Sequence, residues 1–168
     1  RYDTRGMGLS DRAASNYSRD CLASDLEAVV DALGHEKVAL HGISAGGPIA
    51  ITFAVNHPER VSHIVLYGSF ARYPFSPEQS ETMLTLIRQG WGSDLPAHRQ
   101  FFTSLFMPDG DMEAIQAFND MQRVSASPET VAAAVEDLRG QQLEVTDLLP
   151  KVSAPTLVIH RRGDAIVP

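Results

Sequence analysis

Gly42-Ile43-Ser44-Ala45-Gly46 lies between two apolar runs, Val38-Ala39-Leu40 and Ile49-Ala50-Ile51-Thr52-Phe53-Ala54-Val55. A Gly-x-Ser-x-Gly flanked in this way reads as the sharp passage from a strand into a helix, a nucleophile elbow. The turn is tight enough that its flanking positions, Gly42 and Gly46, are expected to need glycine, which has no side chain to clash; Gly47 completes the elbow. Ser44 is then held out at the carboxyl end of the strand, over the start of the helix. There the Ala45 N–H and the helix dipole can stabilise an oxyanion.

Outward from this turn, the apolar residues change period. Before it, Leu22, Leu26, Val29, Val30 and Leu33 recur at helical spacing and Gly34 is a natural stop. Lys37 to Leu40 is a short strand, and Tyr2-Asp3 reads as the end of another, followed by the glycine-rich Thr4-Arg5-Gly6-Met7-Gly8-Leu9-Ser10. After it, Ala45 to His57 is apolar almost all round, as in a buried helix, with Pro48 tolerated in the first turn. Val61–Tyr67 and Pro155–His160 are two more strands.

Between the last two strands the pattern is purely helical: Met83 and Ile87; Phe101 and Leu105; Ile115, Phe118 and Met121; Val131, Val135 and Leu138. Strand–helix–strand flanks around an all-helical insert imply a mostly parallel α/β core carrying a helical cap. The segments are 1–71 (core), 72–146 (cap) and 147–168 (core again). Trp91, Phe102 and Phe106 could line a substrate pocket or simply pack the cap, and Met107, Met112 and Met121 read as packing residues.

The totals narrow the classes. The chain has 168 residues, 43% hydrophobic and 21% charged, as in an ordinary globular domain. A net charge of −7 opposes nucleic-acid binding, which needs a clustered basic face. No apolar run is long enough to span a membrane. The single cysteine, Cys21, excludes an internal disulfide and fits a reducing, cytoplasmic setting. No metal-ligand spacing occurs, and no cofactor is expected.

Acyl transfer by serine needs a base to take its proton and a carboxylate to orient that base. Asp164 is the best acid: it follows the third strand in Arg161-Arg162-Gly163-Asp164. Elbow-type sites run Ser, Asp or Glu, then His along the chain. All six histidines precede Asp164. His57 and His160 read as structural, and a rearranged site using His41 or His98 is the remaining option within the chain. Asp3, which precedes the serine and sits beside Arg5, reads as a loop-fixing ion pair or a turn residue.

These stretches together resemble the α/β-hydrolase superfamily, in its serine-nucleophile branch. The likeness runs through Tyr2–Ser10, Asp25–Gly34, His41–Gly47, His57-Pro58-Glu59-Arg60-Val61 and Ala154–His160. Val61–Gly68 and Gln89-Gly90-Trp91-Gly92 are similar to a bacterial subgroup whose hydrolase domains are fused to adenylate cyclase or LuxR-type regulatory domains. The resemblance implies an internal fragment. The first strands, one of them followed by a His-Gly loop giving the second oxyanion donor, would precede Arg1. The last strand and the catalytic histidine would follow Pro168. A fragment with an open sheet edge is expected to associate through that edge.

The function implied is hydrolysis of an ester, thioester or lactone of a small to medium apolar acid, a small-molecule acyl substrate. Perhydrolase and carbon–carbon hydrolase chemistry stay open. The other class is a small-molecule-sensing module of a regulatory protein that binds without turnover.

Overall fold

The strand that precedes Ser44 starts a parallel sheet. In the computed structural model, which describes residues 1–140 and 143–167, three strands run β1 (Val38–Ile43), β2 (Val61–Tyr67) and β3 (Thr156–Ile159), in that spatial order. β1 is longer than the sequence pattern suggests, continuing through His41, Gly42 and Ile43, because these still pair with Val65, Leu66 and Tyr67. β2 pairs with β3 from Ile64↔Thr156 to Tyr67↔Ile159. All three strands therefore end at one edge, where Ser44, Gly68 and His160 follow them.

Six helices accompany the sheet among the described residues: α1 (Arg19–Leu33), α2 (Gly46–Asn56), α3 (Pro77–Gly90), α4 (Ala97–Phe106), α5 (Met112–Ser125) and α6 (Pro128–Arg139). None is long and apolar enough to cross a membrane. Tyr2 and Asp3 form no strand. No described backbone pairs with them in a ladder; instead Asp3 organises the glycine-rich loop. Its carboxylate accepts from the Leu9 N–H at 2.9 Å and its carbonyl from Ser10 Oγ at 2.6 Å. Gly8 has φ +55°, and a Cβ there would fall 2.3 Å from the Asp3 carboxylate.

The chain divides into two compact units. One comprises Tyr17–Pro74 and Gly140–Pro168, together with Tyr2. Its core joins Val30 of α1, Ala50, Phe53 and Ala54 of α2, and Leu40, Val61 and Ile64 of the sheet. Phe53 is wholly buried, which explains why α2 shows no polar face: it is covered on all sides. Gly34 ends α1 at φ +66° with its N–H on the Asp31 carbonyl, the stop expected of glycine there.

The other unit comprises Asp3–Asn16 and Phe75–Arg139, with Arg1. Its helices have clear starts. Ser76 and Gln79 form a reciprocal capping box on α3, and the Asp111 side chain accepts from Ala114 N–H at α5. Met83, Leu84, Ile87, Trp91, Phe102 and Ala132 make its apolar core. Its other interior is polar. Arg99 is buried and donates to the carbonyls of Trp91 (2.6 Å), Ser93 (2.6 Å) and Asn119 (3.0 Å). Thr103, Asn119 and Gln122 bond to one another alongside it. Because α5 turns Asn119 and Gln122 inward, Met112 and Met121 are exposed rather than packed as their spacing suggested.

Among the described residues both β1 and β3 are edge strands, and all four residues of β3 are exposed, Leu157, Val158 and Ile159 included. Unpaired, apolar edges recruit other strands. Size-exclusion chromatography of residues 1–168 is expected to show species larger than a monomer, reduced by Val158→Lys. A single monomeric peak would contradict this.

Candidate active site

Ser44 is the one residue other than glycine with positive φ among the described residues, at +51°. A left-handed backbone at a residue with a Cβ costs on the order of 1–3 kcal/mol, so the surroundings must impose it. They do so at three points. The Ser44 N–H donates to the Tyr67 carbonyl at 3.1 Å, extending the β1–β2 ladder by one residue. The Ser44 carbonyl accepts from the Gly47 N–H at 3.0 Å and from Ser69 Oγ at 2.9 Å. The chain thus leaves the strand, reverses within one residue and starts α2 directly over it.

That reversal sets where glycine is required. A Cβ on Gly42 would lie 2.7 Å from the Gly46 carbonyl oxygen and the Gly47 Cα. One on Gly47 would lie 1.7 Å from Ser69 Oγ. At Gly46, by contrast, a Cβ meets nothing within 4 Å beyond its neighbours and its own helix. The steric demand expected at both flanks of the serine therefore falls on Gly42 and Gly47, and Gly46 is free of it.

Ala45 is the N-cap of α2, with helical φ −59° and ψ −16° and no side-chain cap. The first N–H groups of a helix have no partner within it. The peptide N–H adjoining Ser44 is thus at a position of positive potential, suited to a developing negative charge.

Asp164 sits in the loop after β3, its side chain 21% exposed. The loop turns at Gly163, φ +73°, and Asp164 Oδ1 accepts from the N–H groups of Ile166 (2.8 Å) and Val167 (2.9 Å). Oδ2 is left toward the end of the sheet: a Cβ on Gly68 would be 3.5 Å from it. Gly68, at φ +51°, follows β2 and donates its N–H to Ile159 at 3.0 Å. Ser44 bonds to Tyr67, the residue before Gly68. Serine and aspartate therefore both stand on the carboxyl edge of the sheet, after the strands on either side of β2.

The Val167 N–H holds the Asp164 carboxyl below the usual range; partial burial opposes this, and Ile166 N–H, His160 and Arg161 add to the lowering. The carboxylate is one side of a linkage. Its stabilising effect is present above the ordinary value of 3.8 and is lost as pH falls through the lowered one.

No histidine bonds to Ser44 Oγ among the described residues. His41 is an exposed residue of β1, and His57 meets Glu27 at 3.3 Å and stacks near Phe53. His98 turns Nδ1 toward Gly90, where it is buried without a hydrogen bond. His160 contacts Asp164 and Val167 instead. Trp91 and Phe102 are buried edge to face, centroids 5.5 Å apart, with the indole N–H unpartnered among the described residues. Phe106 is 49% exposed and lies against Phe118. No group of three or more metal-ligating side chains occurs among the described residues.

The sequence profile of the alpha/beta hydrolase fold matches residues 1–168. The chain belongs to the alpha/beta hydrolase fold family. It is 30% identical to the AB hydrolase superfamily protein YisY of Bacillus subtilis, over 99% of its own length and 63% of that protein's. It is also 30% identical to a 2-hydroxy-6-oxononadienedioate/2-hydroxy-6-oxononatrienedioate hydrolase of Klebsiella pneumoniae, covering 99% of this chain and 60% of the relative. Among solved structures, an esterase from Exiguobacterium antarcticum superposes with a TM-score of 0.85 at 27% identity, over 99% of this chain and 63% of that one. The chain thus spans about three fifths of the length of these alpha/beta hydrolases.

Gly68 and Ser69, which meet the Ser44 turn and the Asp164 loop, were passed over by sequence reasoning, and His160, read as structural, contacts Asp164 and Val167. Gly68-Ser69 directly after a strand was the available signal, since a glycine there implies an unusual backbone.

Two outcomes test this geometry. Ser44→Gly is expected to raise the unfolding free energy by about 1 kcal/mol over Ser44→Ala, by relieving the left-handed strain; equal stability in denaturant titrations would contradict it. Asp164→Ala is expected to lower stability by about 1–3 kcal/mol near neutral pH, and Asp164→Asn by less because it keeps the acceptor. The difference from the unsubstituted protein is expected to shrink in acid, which urea titrations at several pH values would check.

Proposed function

We propose that this chain carries the nucleophile and the acid of a serine hydrolase. The observation that carries the reading is the strained Ser44, fixed between the β1–β2 ladder and the start of α2, with Asp164 on the same sheet edge. Strain at a residue with a hydroxyl is costly to keep unless the position is used. In the proposed reaction Ser44 Oγ attacks a carbonyl carbon and a histidine takes its proton. Asp164 Oδ2 orients that histidine, and the Ala45 N–H supports the oxyanion. Water then releases the acyl group. The histidine and the second oxyanion donor are supplied from outside residues 1–168.

The substrate class we assign is an ester, thioester or lactone of a small to medium apolar acid, which makes the enzyme a carboxylic ester hydrolase. The Exiguobacterium structure, named an esterase, supports the ester chemistry. We assign the helical stretch 72–146 the role of a cap; Trp91 and Phe102 pack its own core, and Phe106 is the exposed apolar side chain among the three.

A fluorophosphonate probe is expected to label the full-length protein and to leave Ser44→Ala unlabelled. Asp164→Asn is expected to slow ester turnover by about 10²–10⁴-fold. Equal labelling of both proteins would overturn the nucleophile. A module that senses small molecules without turnover, joined to regulatory domains, would bind ligand and show neither result.

A further inference from the structure

We propose that His160 is a positioning residue for Asp164, acting through the carbonyl of Val167. The inference rests on the reading of Asp164 as the acid. His160 directly follows β3 (Thr156–Ile159), so its ring is anchored at the end of the sheet and not in the loop. Its Nε2 lies 2.7 Å from the Val167 carbonyl oxygen and 3.9 Å from Asp164 Oδ2. A carbonyl oxygen only accepts, so Nε2 carries the hydrogen in this contact.

Val167 is thereby held at both of its polar groups. Its N–H donates to Asp164 Oδ1 at 2.9 Å, and its carbonyl accepts from His160. The bonds from Ile166 and Val167 to Oδ1 are local to the loop. The Asp164 N–H, which spans Gly163 to reach the Arg161 carbonyl at 3.3 Å, is likewise local to the loop. The His160 bond closes a ring from residue 160 to 167 and ties the loop to β3. Oδ1 is occupied by the loop, so Oδ2, facing the Gly68 end of β2, is the oxygen whose position the tie fixes. An orienting carboxylate works only while its oxygen stays within hydrogen-bond reach of the base, and misplacement of about 1 Å can cost on the order of 10² in rate.

The test is a double-mutant cycle in the full-length protein, read as kcat and KM on para-nitrophenyl butyrate. His160→Leu and His160→Asn both remove the bond, the second with a polar side chain too short to reach; if one fails to fold, the other carries the measurement. His160→Gln keeps an N–H donor at similar reach. Each bond-removing variant is expected to lower kcat on the order of tenfold with KM little changed, and Gln is expected to recover most of the loss. In an Asp164→Ala background the same changes are expected to cost less than about twofold, since nothing remains to position. An unchanged kcat in both variants, no recovery by Gln, or an equal loss without Asp164 would overturn the proposal while a slow Asp164→Ala leaves the acid in place. An Asp164→Ala enzyme as fast as the unsubstituted one would overturn the acid itself, and this inference with it.

Discussion

The left-handed backbone at Ser44 is the constraint on which the site depends. It can exist only because β1 and β2 pair in parallel up to their last residues, so that the Tyr67 carbonyl is there to receive the Ser44 N–H. It also needs the two chains beyond the strands to approach closely. Ser69 reaches back to the Ser44 carbonyl, and this contact occupies the space where a side chain on Gly47 would be. One close approach thus fixes the serine, the start of α2 and the loop leaving β2.

The acid is built by different means. No strain holds Asp164; a loop of a few residues turns two of its own N–H groups onto one carboxylate oxygen. This division of the carboxylate explains why the loop can be ordered without consuming the side chain. It also keeps the group charged, because the donors favour the ionised form. The parallel register of β2 and β3 does the remaining work by ending both strands together, so that Gly68 and the aspartate meet.

Much of this was legible in the residues. The helical spacing around Met83, Phe101, Phe118 and Val131 gave four helices, and the apolar run 61–67 gave β2 to the residue. These signals are local and repeat with the period of the element. Asp3 was legible as a turn residue, although its partners are the Leu9 N–H and the Ser10 hydroxyl and the strand end read at Tyr2-Asp3 is not there. The polar interior around Arg99, Thr103, Asn119 and Gln122 was not legible, because buried polar groups leave no periodic trace and depend on partners up to 20 residues away. The same holds for Ser69 and His160, whose roles come from residues that meet only after the sheet is formed. The helical segment also gathers the glycine-rich loop 3–16 into its own unit, which hydrophobic periodicity could not indicate.

The open space at Gly46 bears on how such proteins are recognised. A five-residue signature that insists on glycine two places after the serine is stricter than this backbone is. Alanine there would fit, whereas the following position tolerates no such exchange while Ser69 stays where it is. A search pattern drawn from contact geometry would relax position 46 and tighten position 47. It would also admit chains that the conventional spelling of the motif passes by.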